Sequence, residues 1–268
     1  NQRAATGEGM EQSETKPSGQ VAPAKTGSSG MGGLNPDFRM DNFISGQCNR
    51  IAFNACLRLV EAPAEFNPLY LHGASGVGKT HLLHALGHAL RLSDRQRVLC
   101  LSAEEFTRQF ASAMERKQRE SFRLRFRNCD ALLIDDAQAL ARGSRDATQE
   151  EFLHLLDEFR HAGKQVVLVA DAPPGEIEGL KEKLASRFAC GLAVELERPD
   201  PETRINLARD KARKRGIPLC AESLELIAQA GDGDIHWLEG TIAKLAALAR
   251  LGGEEITPAL VRKALSAS

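Results

Sequence analysis

The sequence predicts an α/β fold, a parallel sheet with helices on both faces followed by a small all-helical domain. Three observations carry the prediction. Apolar runs at residues 98–101, 131–134 and 165–170 alternate with segments of helical period. A short apolar run at 69–71 leads straight into a glycine-rich loop, and a helical pattern begins at once. From Asp200 onward every periodic segment is helical. Strands alternating with helices imply parallel pairing, and the strandless tail implies a separate helical unit.

Residues 1–33 are rich in Gly, Ser, Ala, Gln, Lys and Pro and contain no aromatic side chain. They bury too little apolar surface to offset the entropy of ordering, and read as a flexible leader or linker. A nucleotide-binding core is expected over 34–198 and a helical lid over 199–268. Phe38, Met40, Phe43 and Ile44 form an apolar patch ahead of a helix at about 47–61. Such a patch either lines a base pocket or packs as ordinary core.

The loop Gly73-Ala74-Ser75-Gly76-Val77-Gly78-Lys79-Thr80 has the residue types a phosphate cradle needs. Its glycines let successive N–H groups turn inward, and the following helix N-terminus favours an anion. Lys79 carries a mobile cation to the outer phosphates, and the Thr80 hydroxyl is a ligand for Mg²⁺. Leu82, Leu83, Leu86 and Leu90 then share one helix face. A second strand at 98–101 ends at Ser102, which with Glu105 makes a capping box for the next helix.

A break near 116–118 leads to a shorter helix, and then the strand at 131–134 runs into Asp135 and Asp136. In a phosphate-loop protein the first of these acids holds Mg²⁺ and the second orients the attacking water. Thr148 and Glu151 read as another capping box. The strand at 165–170 ends in Asp171, a contact to the γ-phosphate or a turn acid. A fifth strand follows at 192–196. Asp200-Pro201 then opens the helical tail, Gly216 closes its first helix, and Thr257-Pro258 begins the last.

A net charge of −1 excludes a global field that would draw the chain to DNA or membranes, so any nucleic-acid surface is a local patch. The six cysteines form no C-x-x-C pair and mostly sit in apolar patterns, which predicts buried, reduced thiols in a cytoplasmic protein. No apolar run approaches the roughly 20 residues of a membrane helix. His81, His84 and His88 fall at i, i+3, i+7 on one helix, a spacing open to zinc but joined by no nearby acid or cysteine.

Several stretches together resemble the bacterial DnaA family of AAA+ ATPases. They are Gly78-Lys79-Thr80-His81-Leu82-Leu83-His84-Ala85, Leu132-Leu133-Ile134-Asp135-Asp136, Thr148-Gln149-Glu150-Glu151-Phe152, Ala170-Asp171-Ala172-Pro173-Pro174, Ser186-Arg187-Phe188 and Leu238-Glu239-Gly240. The resemblance spans 34–265 in unbroken order. It implies a five-stranded AAA+ core with a lid, and slow ATP hydrolysis acting as a switch in chromosomal replication initiation. ATP or ADP with Mg²⁺ would bind at Gly73 to His81, at the acidic pair and at the second-sensor position. Asp171 would be the first γ-phosphate sensor. Arg187 would be an arginine finger reaching the nucleotide of a neighbouring subunit. Without the resemblance, Arg187 reads as a surface salt-bridge residue.

The resemblance also implies an ATP-dependent filament that melts origin DNA and grips a single strand through Thr107, Arg142 and Arg145. A replicative helicase, a sliding clamp and acidic lipids are further partners in that family. Arg119, Arg123 and Arg127 repeat at i, i+4, i+8 beside Phe122 and Phe126. This row either tracks phosphates or is a solvated face over core phenylalanines.

Three departures from the family pattern stand out. His236 occupies the second-sensor position, where the family has arginine, and a neutral imidazole cannot replace a charged bidentate fork. Lys183 stands where arginine is usual, and no helix-turn-helix module for duplex DNA follows before Ser268. The alternatives are a DnaA-related regulator of the Hda type, a helicase loader, or a monomeric phosphate-loop kinase. No clamp-binding peptide is evident in residues 1–45, which argues against the regulator. The helical tail and Arg187 argue against the kinase.

Overall fold

The computed structural model describes residues 33–93, 97–143, 145–253 and 255–266. The leader expected at 1–33 lies outside the described residues apart from Gly33. Five strands form one parallel sheet in the order β2-β3-β4-β1-β5. They are β1 (Leu69–His72), β2 (Val98–Ser102), β3 (Ala131–Asp135), β4 (Gln165–Ala170) and β5 (Leu192–Glu195). Helices α1 (Arg50–Glu61), α2 (Lys79–Leu92), α3 (Ala103–Glu115), α4 (Arg119–Arg127), α5 (Asp146–His161) and α6 (Glu182–Ala189) accompany them. Parallel neighbours need crossovers of this kind, which bury both faces of the sheet.

The pleat divides the apolar residues between two cores. On β4, Val166, Leu168 and Ala170 meet Phe106, Phe126, Phe152 and Phe188. Val167 and Val169 meet Leu59, Leu82, Leu83 and Leu86 on the other face. The strands therefore read as continuous apolar runs, because alternate residues enter different cores. Phe126 and Phe152 have no exposed surface, and truncating either to alanine should cost about 3–5 kcal/mol.

The tail contains α7 (Pro201–Lys214), α8 (Ala221–Ala230), α9 (Ile235–Gly252) and α10 (Pro258–Ser266). These close around their own core, which includes Leu207, Ile227, Leu238, Ile242 and Val261. Local chemistry starts the helices where polar residues precede apolar periods. The Asp200 carboxylate accepts from the Thr203 N–H at 3.0 Å, and Pro201 occupies the first turn of α7. Gly216 ends that helix with φ +67°. Four cysteines (Cys48, Cys56, Cys100 and Cys129) are buried, Cys190 and Cys220 are exposed, and all are free thiols.

Two capping expectations need correction. Ser102 does accept from the Glu105 N–H at 3.1 Å, but the Glu105 carboxylate turns to Arg108 and Gln109 instead of back to the cap. Thr148 and Glu151 do not open α5 at all. The helix starts at Asp146 with Arg145 at its N-cap, and both residues lie buried inside it. The Glu151 carboxylate takes bonds from Arg119 Nε at 3.1 Å and Arg123 at 2.8 Å. Two guanidiniums satisfy a buried carboxylate better than one backbone N–H does.

Candidate functional site

Lys79 is the hinge of the site. It begins α2 directly after Gly78, whose φ of +98° at the N-cap is open to glycine and strained for other residues. Gly76 is tighter still: a Cβ there would lie 2.1 Å from Asp234 Oδ1 at the start of α9. The Ile235 N–H donates to the Gly76 carbonyl at 2.9 Å, so the lid is tied to the loop by backbone. The Lys79 ammonium is almost fully buried and donates to three oxygens. These are Gly73 O at 2.8 Å, Ala74 O at 2.8 Å and Asp171 Oδ1 at 2.9 Å. Asp171 Oδ2 in turn accepts from Gln138 Nε2 at 2.7 Å, and the same amide lies 3.3 Å from Asp136 Oδ1.

A cavity of about 380 Å³ opens over this chain of contacts. Residues 75–80, Asp136 and Asp171 form its floor. Phe38, Asn42, Phe43, Ile44 and His81 form one wall, so the apolar patch ahead of the loop both lines a cavity and packs on the cores. The lid supplies Leu207, Asp210, Lys211, Lys214, Ile235, His236 and Glu239. Gly73, Ala74 and Asp135 stand outside the lining; the first two present their carbonyls to Lys79. Asn42, Lys211 and Lys214 carry no sequence signal of a site, and Glu239 only the family stretch Leu238-Glu239-Gly240. Helix patterning assigns the last three to a polar face, and only docking of the lid turns that face inward.

His81 is locked into the wall. Its Nε2 lies 2.9 Å from Asn42 Oδ1 and 3.2 Å from Arg39 O, both acceptors, so this nitrogen carries the proton. The ring stacks on Phe38 at 4.7 Å, and burial pushes its pKa down to about 4. His84 Nδ1 accepts from the Asn35 N–H at 2.9 Å, and His88 Nε2 donates to Asn35 O at 2.8 Å. The three histidines thus fasten residues 35–43 to α2, and no described cluster of His, Cys, Asp and Glu has metal-site geometry.

Thr80 and Asp135 offer hard oxygen donors suited to Mg²⁺. Burial raises the Asp135 carboxyl above the usual range; a Thr80 hydrogen bond opposes the rise and the Asp136 charge adds to it. A dication would relieve that repulsion. His236 begins α9 and lines the cavity, with its backbone N–H donated to Asp234 Oδ1 at 2.7 Å.

Arg187 lies elsewhere. Its groove is bounded by Asn67, Pro68 and Val166, at the opposite ends of β1 and β4 from the phosphate loop. It pairs there with Asp157 at 3.0 Å. Arg142 pairs with Glu104 at 3.0 Å, joining the loop after β3 to the first turn of α3, one turn before Thr107. The Thr107 hydroxyl donates to Ala103 O at 2.8 Å, and Arg145 donates to Ala139 O. The repeated arginines of α4 are engaged at home. Arg119 and Arg123 hold Glu151, Arg127 bridges Glu120 and Glu158, and Phe122 and Phe126 are core residues.

Comparison with known proteins places this geometry. Residues 34–195 match the family model for the bacterial DnaA ATPase domain. The chromosomal replication initiator protein DnaA of Herpetosiphon aurantiacus is 42% identical over 235 residues, covering 87% of this chain and 49% of that protein. The chain spans about half the length of the curated relatives it matches. The crystal structure of domain III of Thermotoga maritima DnaA superposes with a TM-score of 0.82 at 33% identity, covering 87% of this chain and 98% of that one. A DnaA structure bound to AMPPCP and single-stranded DNA gives a TM-score of 0.75 at 31% identity over 86% of this chain and 69% of its own. A RuvB motor from T. maritima, at 17% identity, shares the fold alone. With the phosphate loop and the acidic strand end in one matched segment, the chain belongs to the bacterial DnaA ATPase domain family.

Proposed function

We propose that this chain binds ATP with Mg²⁺ and hydrolyses it slowly, as the nucleotide switch of a chromosomal replication initiator. The observation that carries this reading is one cavity. The phosphate loop, Asp136, Asp171 and the lid residue His236 all line it, although they are scattered from residue 75 to residue 236. Gly73 to His81 form the phosphate cradle, Thr80 and Asp135 hold Mg²⁺, and residues 34–198 and 199–268 act as core and lid.

In the geometry described, the Lys79 ammonium is shared among two carbonyls and Asp171. A triphosphate would compete for that cation and free the Asp171 carboxylate to face the terminal phosphate. Hydrolysis joins a water oxygen to the terminal phosphorus as the bridging P–O bond breaks, giving ADP, inorganic phosphate and a proton. Asp136, on the cavity floor, orients that water. Arg187 sits too far around the fold to serve its own nucleotide, which supports action on a neighbour's and hence ATP-dependent self-assembly. Thr107, Arg142 and Arg145 supply the surface for single-stranded DNA. The matched relatives are named as initiators, which favours this reading over a regulator.

Equilibrium binding of Mg-ATP to the parent and to Lys79→Ala tests the site. Loss of a charge-assisted contact to phosphate should raise Kd by about 100-fold, roughly 2.7 kcal/mol. Equal affinity in the two proteins would overturn the assignment. Sedimentation with ATP, ADP and single-stranded DNA tests assembly, and a chain that stays monomeric in all three overturns the switch.

A further inference from the structure

We propose that Gln138 is a positioning residue for hydrolysis, holding the Asp136 and Asp171 carboxylates in register at the Lys79 end of the cavity; this rests on the ATP reading above. Gln138 sits in the 3-10 turn Ala137–Ala141, immediately after the acidic strand end. Its Nε2 contacts Asp171 Oδ2 at 2.7 Å and Asp136 Oδ1 at 3.3 Å. Two carboxylates from neighbouring strands repel each other, and a carboxamide with two N–H donors answers both without adding charge. The orientation is fixed by those acids, since a flipped amide would set its oxygen against two anions.

The opposite end of the same amide shows the cost of this arrangement. Gln138 Oε1 is buried and has no partner among the described residues. A side chain that leaves its acceptor orphaned while both donors face carboxylates is held for those donors. The bridge also continues to the phosphate loop, because Asp171 Oδ1 accepts from Lys79. Once phosphate competes for Lys79, Gln138 becomes the remaining hydrogen-bond partner of Asp171 among the described residues. It then keeps one oxygen of that carboxylate tied, so that the other points at the terminal phosphate and its water.

Gln138→Glu and Gln138→Ala test this. At pH 8 each should hydrolyse ATP at least ~10-fold more slowly than the parent, consistent with loss of a positioned group. Mg-ADP should bind within twofold of the parent in both. Gln138→Glu adds a like charge beside the terminal phosphate, so its Mg-ATP Kd should rise several-fold. Relative to the parent, its rate deficit should shrink by at least fivefold and its Kd deficit to within twofold between pH 8 and pH 5.5, because a protonated carboxyl regains one donor. Gln138→Ala should show no such recovery.

A Gln138→Ala rate within twofold of the parent would overturn the assignment. So would a Gln138→Glu deficit that is the same at both pH values, since a mere turn anchor gives no pH signature. Should the alanine variant fail to fold, the isosteric Gln138→Glu decides through its equilibrium Kd values alone. Parent protein that fails to retain ATP overturns the nucleotide reading as well. Active parent beside an equally active Gln138→Ala overturns the Gln138 role alone.

Discussion

The Arg187 guanidinium lies 3.0 Å from the Asp157 carboxylate of its own chain. The contact is ionic without hydrogen-bond alignment, since Asp157 Oδ1 has no hydrogen-bond partner. Both side chains are about one-third exposed, so the pair is worth roughly 0.5 kcal/mol. In the proposed action on a neighbour's nucleotide, Arg187 must first leave this acid. Asp157→Asn should therefore lower the protein concentration for half-maximal ATP-dependent assembly by about twofold. Arg187→Ala should prevent assembly while leaving the nucleotide Kd unchanged. Sedimentation velocity at a series of concentrations checks both.

His236 lines the cavity where the family resemblance places a cation. Replacing it with arginine adds a permanently charged fork at the start of α9, on the cavity's lid side. His236→Arg should improve the preference for ATP over ADP by about tenfold, the value of one charge-assisted hydrogen bond, and speed hydrolysis. Paired Kd measurements and ATP turnover decide it, and unchanged values in both count against a sensor role.

Glu151 is only 3% exposed between two arginines. Burial pushes its carboxyl up, but bonds from Arg123 and Arg119 outweigh that, leaving it below the ordinary glutamate value of 4.5. The folded state then releases its proton more readily than the unfolded chain does. The resulting stabilisation is complete above about pH 4.5 and fades as pH falls through the lower folded value. Glu151→Gln should cost about 2 kcal/mol at pH 7, less than a fully buried pair because Arg119 is half exposed. Denaturant melts at pH 7 and pH 4 should show the variant losing less stability on acidification than the parent.

His81 gives the same sign for a different reason. Burial lowers its pKa to about 4 from the ordinary 6.5, so the unfolded chain binds its proton first as pH falls. The stabilisation is present above pH 6.5 and declines toward pH 4. The neutral ring should stay hydrogen-bonded to Asn42 throughout the physiological range. In NMR spectra the imidazole resonance should titrate near 4, and a midpoint near 6.5 would contradict a buried wall.

The phosphate loop, the strands and the lid helices were legible in the sequence because their causes are local. A glycine needed at +98°, a lysine one residue later and a leucine every three or four positions act on adjacent backbone. The same local rules failed at Glu151, where a capping pattern was outweighed by guanidiniums 28 and 32 residues away. They also could not distinguish a phosphate-tracking row from internal ion pairs in α4. Arginine, glutamate and lysine side chains are long and polar, and patterning tells only that they avoid the core. Which acid Arg187 meets, and which lid residues face the cavity, depends on how separate elements dock. The sequence by itself determined the glycine-rich loop that opens α2. Only the tertiary structure decided what surrounds it, because electrostatic partners are chosen by distance in space and not by spacing along the chain.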